Sequence, residues 1–151
     1  MNILALDLGT KTGWATNFGG CVSSGVEDFT PNHRESKGMT YVMFTAWLYS
    51  MLTKVNPTLV AYEMPHLRGG AAAETLAGFS TRVQEQCAQR GIEYTSVHSA
   101  TLKKSATGSG RANKGEMVEM AIKLFPTQTI EDDNQADALH MLQWAMGRYD
   151  I

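Results

Sequence analysis

The stretch Ile3-Leu4-Ala5-Leu6-Asp7-Leu8-Gly9-Thr10-Lys11-Thr12-Gly13-Trp14-Ala15 decides the fold. An apolar run ends in one acid, turns through Gly9 and resumes as a second β-prone run. An ionised Asp between Leu6 and Leu8 must find a partner, and a metal ion or a ligand is the usual one. A strand-end Asp that caps a tight turn is the plainer alternative. Residues 2–8 read as a buried strand. Residues 12–18 and 20–26 alternate as the next two strands, joined at Gly19-Gly20, which suits a hairpin. The chain therefore opens as an antiparallel meander.

After a loop over 28–34, the pattern is helical from about Glu35 to Lys54, where Asn56-Pro57 ends it. Met39, Val42, Met43, Ala46, Trp47, Tyr49, Met51 and Leu52 form its expected apolar face. Thr58-Leu59-Val60-Ala61-Tyr62-Glu63 is a second buried run ending in an acid. A meander, a helix and a strand buried on both faces imply an α/β sheet covered by helices. His66 to Gly70 is a link. Ala71 to Arg90 is a helix with Gly91 as its C-cap, and Ile92 to Val97 is a further strand. His98 to Lys104 forms one helical turn, and Thr107 to Ala112 a loop. Asn113 caps a helix that Pro126 stops. The last helix starts near Asp132, with Gln135 completing a capping-box pattern.

Length and composition set the bounds. A chain of 151 residues is expected to be a single domain, residues 1–151. Cys21 and Cys87 follow no metal spacing and fit a reduced, cytoplasmic protein. Neither a secretory leader nor a membrane span is expected. The net charge of −2 argues against nucleic-acid binding by bulk charge. It leaves room for a local basic patch beside an acidic metal site.

Three acids stand out: Asp7 and Glu63 at strand ends, and Asp137 among Ala136, Ala138 and Leu139. Asp133 lies one helical turn before Asp137, on the same side. Carboxylates gathered from two strands and a helix repel one another without cations. Mg²⁺ or Mn²⁺ relieves that repulsion through oxygen ligands. Two such ions about 4 Å apart form an apparatus for phosphodiester cleavage. Asp132 and Asp133 also suit a plain capping role at a helix N-terminus.

In this order, several segments resemble a known family. They are Leu6 to Ala15, Ala61-Tyr62-Glu63, Arg68-Gly69-Gly70-Ala71-Ala72-Ala73-Glu74, the basic segment 103–114 and Ala136-Asp137-Ala138-Leu139. The chain resembles the RuvC-like Holliday junction resolvases of the RNase H-like superfamily, above all the compact phage-type members. The resemblance implies an RNase H-like mixed five-stranded sheet with helices on both faces. It implies a nuclease that nicks four-way or branched DNA to leave 5′-phosphate and 3′-hydroxyl ends, with two Mg²⁺ per site and Mn²⁺ as a substitute. It implies a homodimer paired through the helix 71–90.

The family's acids fall on Asp7, Glu63 and Asp137. Its fourth ligand falls on Asn134, a departure; related nucleases put an acid one position earlier, so Asp133 is the expected fourth ligand. Lys103 and Lys114 match lysines that assist cleavage. Within 103–114, Lys103, Lys104, Arg111 and Lys114 occur with no acid among them, which suits a phosphate grip. Lys11 and Arg68 follow the acids closely enough to touch the same DNA backbone. His66 stands where some members carry an aromatic wedge. His140 reads as a structural histidine one turn beyond Asp137.

Three rivals compete. YqgF-like nucleases of the same fold, acting on RNA, also open on Asp-x-Gly-Thr-Lys. Sugar kinases and actin-like ATPases share Asp-Leu-Gly-Thr but need a second domain. A non-catalytic junction-binding module has no use for three retained acids.

Overall fold

The computed structural model describes residues 1–66 and 69–149. Its centre is β1 (Ile3–Asp7), whose Ile3, Leu4, Ala5 and Leu6 are completely buried. Strands β2 (Lys11–Phe18) and β3 (Cys21–Asp28) complete the meander. Gly19 and Gly20 both adopt positive φ, as a two-residue hairpin turn requires. Helix α1 (Gly38–Val55) leads to β4 (Leu59–Glu63), and α2 (Gly70–Arg90) to β5 (Glu93–Val97). Then come α3 (Ser99–Thr107), α4 (Lys114–Leu124) and α5 (Asp133–Arg148). The sheet order is β3-β2-β1-β4-β5, with β4 parallel to β1 and β5 parallel to β4. This is the expected mixed five-stranded sheet.

The alternation of side chains along a strand divides the core in two. Ile3 and Ala5 join Ala15, Leu59 and Ala61 beneath α5. Leu4 and Leu6 join Val60 and Tyr62 beneath α1 and α2. The alanines on the α5 side are matched by Ala136, Ala138 and Ala145 of the helix, all completely buried. Small residues on both surfaces let this helix lie close to the sheet. The other side is filled by aromatics: Phe44 stacks on Phe79 at 4.1 Å, and Phe29 meets both edge-on.

Three expectations need correcting. Helix α1 starts at Gly38, and its buried stripe is Thr40, Phe44, Leu48, Leu52 and Val55. Val42 and Tyr49 are 57% and 63% exposed, so they do not belong to the core face. This helix is apolar nearly all round, and periodicity cannot choose a face in such a segment. Helix α3 does not end after one turn at Lys104 but runs on to Thr107 and stops at Gly108. Gln135 makes only half a capping box. Its backbone N–H donates to Asp132 at 2.9 Å, while its own Oε1 accepts from Glu131 N–H at 2.7 Å. The reciprocal box forms instead at α4, between Asn113 and Glu116.

Candidate active site

Asp7 and Glu63 end neighbouring parallel strands. Their register pairs Leu6 with Tyr62, so one residue further the two acids stand side by side. Both share the parity of Ile3, Ala5, Leu59 and Ala61, so both side chains point to the face covered by α5. That helix brings Asp137 to the same spot. Carboxylate oxygens of Asp7, Glu63 and Asp137 all lie within 4.8 Å of one another.

The electrostatics match the crowding. Burial, then the charges of Asp137, Glu63, Asp133 and Asp132, push Asp7 well above the usual carboxylate range. Asp137 is pushed up to about 7, chiefly by burial, then by Glu63 and Asp133, with Lys103 and Lys114 acting in the opposite sense. Such a site holds protons or cations in place of three free charges. Hard oxygen donors at this spacing suit Mg²⁺ or Mn²⁺.

Asp133 lies outside the tight cluster but close enough for its charge to raise both Asp7 and Asp137. Its Oδ2 is 3.6 Å from Lys114 Nζ. Asp132 is the helix cap. Asn134 donates from its side chain to Asp132 at 3.2 Å, so it faces the cap. Lys114, at the start of α4, thus pairs with Asp133, and the charges of Lys103 on α3 and Lys114 both act on Asp137. Lys104 and Arg111 are exposed beside them without an ion pair among the described residues. Lys11 is exposed at the start of β2. It pairs across the sheet with Asp28, whose carboxyl is held low by Thr30 first and by Lys11 second. Arg68 lies outside the described residues. Exposed His66 lines a cleft of about 160 Å³ beside Asp7 and Glu63, together with Leu8, Met64, Pro65 and Leu76. His140 is structural: it is buried, with Nε2 2.7 Å from the Met117 carbonyl.

The backbone was compared with solved structures. It superposes on Thermus thermophilus RuvC with a TM-score of 0.77, over 99% of this chain and 97% of that one, at 20% identity. The fold is that of RuvC. T. thermophilus RuvC in complex with a Holliday junction substrate gives the same TM-score and identity, over 93% of this chain and 90% of that one. The yeast mitochondrial Holliday junction resolvase is more distant, with a TM-score of 0.59 and 14% identity over 92% of this chain and 76% of that one. No protein-family model and no curated protein matches the sequence.

Two residues at the site escape a reading by motif. Gly13 lies in β2 directly across from Asp7. Gln135 is 2% exposed and bonded on three sides. A glycine inside a strand is itself a signal of close backbone approach. A Gln in a capping position carries no such signal.

Proposed function

We propose that the chain is a structure-specific endodeoxyribonuclease that resolves four-way or otherwise branched DNA, acting as a single nuclease domain of the cytoplasm. The observation that carries this reading is the convergence of Asp7, Glu63 and Asp137 within 4.8 Å on a RuvC fold. Those three would hold two Mg²⁺ ions, with Asp133 as fourth ligand and Mn²⁺ as a substitute. When bound, the ions activate the attacking water and stabilise the leaving 3′ oxygen, so the products carry 5′-phosphate and 3′-hydroxyl ends. Lys114 and Lys103, whose charges act on Asp137, offer positive charge to the phosphate as its own charge develops. Lys104, Arg111, Lys11 and Arg68 grip flanking phosphates. No helix among the described residues is long and apolar enough to cross a membrane.

One assay tests this. Purified protein with Mg²⁺ is offered four-way, Y-shaped and linear duplex DNA, and RNA, side by side. Branched DNA is expected to be cut far faster than linear duplex. Equal cutting of linear duplex sinks the resolvase reading, and a preference for RNA favours the YqgF-like alternative.

Pairing of two chains through α2 is the second part of the proposal. A groove of about 690 Å³ runs between α1 and α2, lined by Tyr41, Val42, Ala46, Tyr49 and Arg82 among others. It contains none of the site carboxylates, and exposed Val42 and Tyr49 give it an apolar wall that a second copy would cover. Light scattering after gel filtration is expected to give twice the protomer mass, falling towards the protomer mass in Val42→Glu. A monomeric wild type removes the dimer.

A further inference from the structure

We propose that Gly13 is a positioning residue: the space left by its missing side chain sets how closely α5 brings its carboxylates to Asp7. The inference rests on the metal-dependent nuclease reading above. Three observations carry it. A Cβ at Gly13 would lie 2.0 Å from the carbonyl oxygen of Asn134, 2.3 Å from its carbon and 2.9 Å from Gln135 N. All three are backbone atoms of the first turn of α5, which cannot swing aside as a side chain can. Gly13 is the cross-strand partner of Asp7. The strand position that carries the central acid therefore faces the strand position on which the opposing helix rests. Finally, that turn is pinned from its other side. Gln135 Nε2 donates to Ser24 Oγ at 2.9 Å and to the Thr129 carbonyl at 2.9 Å, while Ser24 Oγ donates to Gln128 Oε1 at 2.6 Å.

The turn is thus clamped between β2 below and a polar network from β3 and the 128–131 segment beside it. Any side chain at position 13 must lift Asn134, and with it Asp133 and Asp137, away from Asp7 and Glu63. A displacement of about 1 Å in reacting groups costs about 10²-fold in rate. Metal ions held jointly by β1, β4 and α5 lose ligands at the same time.

The test uses Mn²⁺ binding followed by electron paramagnetic resonance, which reads the site without DNA or turnover. Gly13→Ala is expected to weaken Mn²⁺ binding at least tenfold and to raise the Mg²⁺ needed for half-maximal cleavage in parallel. Its metal-free junction affinity stays near wild type. Gly78→Ala, which disturbs α1–α2 packing away from the acids, serves as the control for a packing defect. A Cβ there would come 2.4 Å from the Tyr41 ring on the opposite side of the sheet, and it should leave Mn²⁺ affinity unchanged. Should Gly13→Ala not fold, Ser24→Ala, which loosens the clamp without crowding it, is expected to weaken Mn²⁺ binding about threefold. Wild-type Mn²⁺ affinity in a folded Gly13→Ala, or in Ser24→Ala where that variant must decide, overturns the proposal and leaves the nuclease reading standing. A wild type that binds Mn²⁺ but cuts no DNA removes the nuclease reading, while Gly13→Ala still decides the positioning role.

Discussion

Asp7→Asn is expected to lower cleavage of a four-way junction in Mg²⁺ by about 10³-fold or more, a loss of several kcal/mol of transition-state stabilisation. Its metal-free affinity for the junction should match or exceed that of wild type. The reasoning starts from position. Asp7 lies between Glu63 on the neighbouring strand and Asp137 on α5, and each of those charges raises it. Any ion held by this cluster is held in part by Asp7. Asn keeps the shape and one oxygen but loses the charge that draws a divalent cation. The strand itself should tolerate the change, since β1 is stabilised by Ile3, Leu4, Ala5 and Leu6 rather than by its terminal acid. Removing a negative charge from a surface that meets phosphates cannot weaken DNA binding electrostatically. Rates measured with binding and melting temperature on one preparation separate these effects. A variant that binds junctions normally and cuts within about tenfold of wild type, a difference of only about 1.4 kcal/mol, ends the assignment of Asp7 to the metal site.

The parts of this molecule that follow from local chemistry were legible in its sequence. Gly19-Gly20 dictated the hairpin, Gly91 the end of α2, and the two apolar runs ending in acids dictated adjacent strands with carboxylates at one edge. The α5 acids were legible because Asp137 sits among residues that otherwise read as core. What stayed hidden depended on three-dimensional packing. The apolar residues of α1 run nearly all the way round, so Val42 and Tyr49 could not be told from Phe44 and Leu48 before the second layer was known. The extent of α3 was hidden because Ser105, Ala106 and Thr107 suit helix and loop alike. The close approach of Asn134 to Gly13 joins segments more than a hundred residues apart, beyond the reach of any local pattern.

The same crowding of acids predicts how stability depends on pH and metal. Asp137→Asn is expected to make the metal-free protein more stable than wild type at pH 8, by roughly 1–3 kcal/mol. In the unfolded chain this carboxyl titrates at its ordinary value of 3.8, whereas in the fold burial and its acidic neighbours push it up to about 7. Between those values the folded protein holds a proton that the unfolded chain has released. Stability from this group is therefore fully present below about pH 4 and is lost as pH rises to about 7. Asp7 is raised as well and acts with the same sign. Buried His140 is shifted downward by burial and acts with the opposite sign, since the unfolded chain takes up its proton first as pH falls. Comparing wild type with the variant cancels that contribution, because both keep His140. In a chain of this size, a gain of 1–3 kcal/mol raises the melting temperature by roughly 2–4 °C per kcal/mol. Divalent ions reverse the order. They bind the ionised carboxylates, so Mg²⁺ should stabilise wild type increasingly as pH rises, while the variant, short of one ligand, gains little. Melting curves at pH 5 and pH 8, each with and without Mg²⁺, read all of this in one series. If the metal-free difference between variant and wild type is the same at both pH values, and Mg²⁺ raises both proteins equally, the three acids are not sharing a cation site.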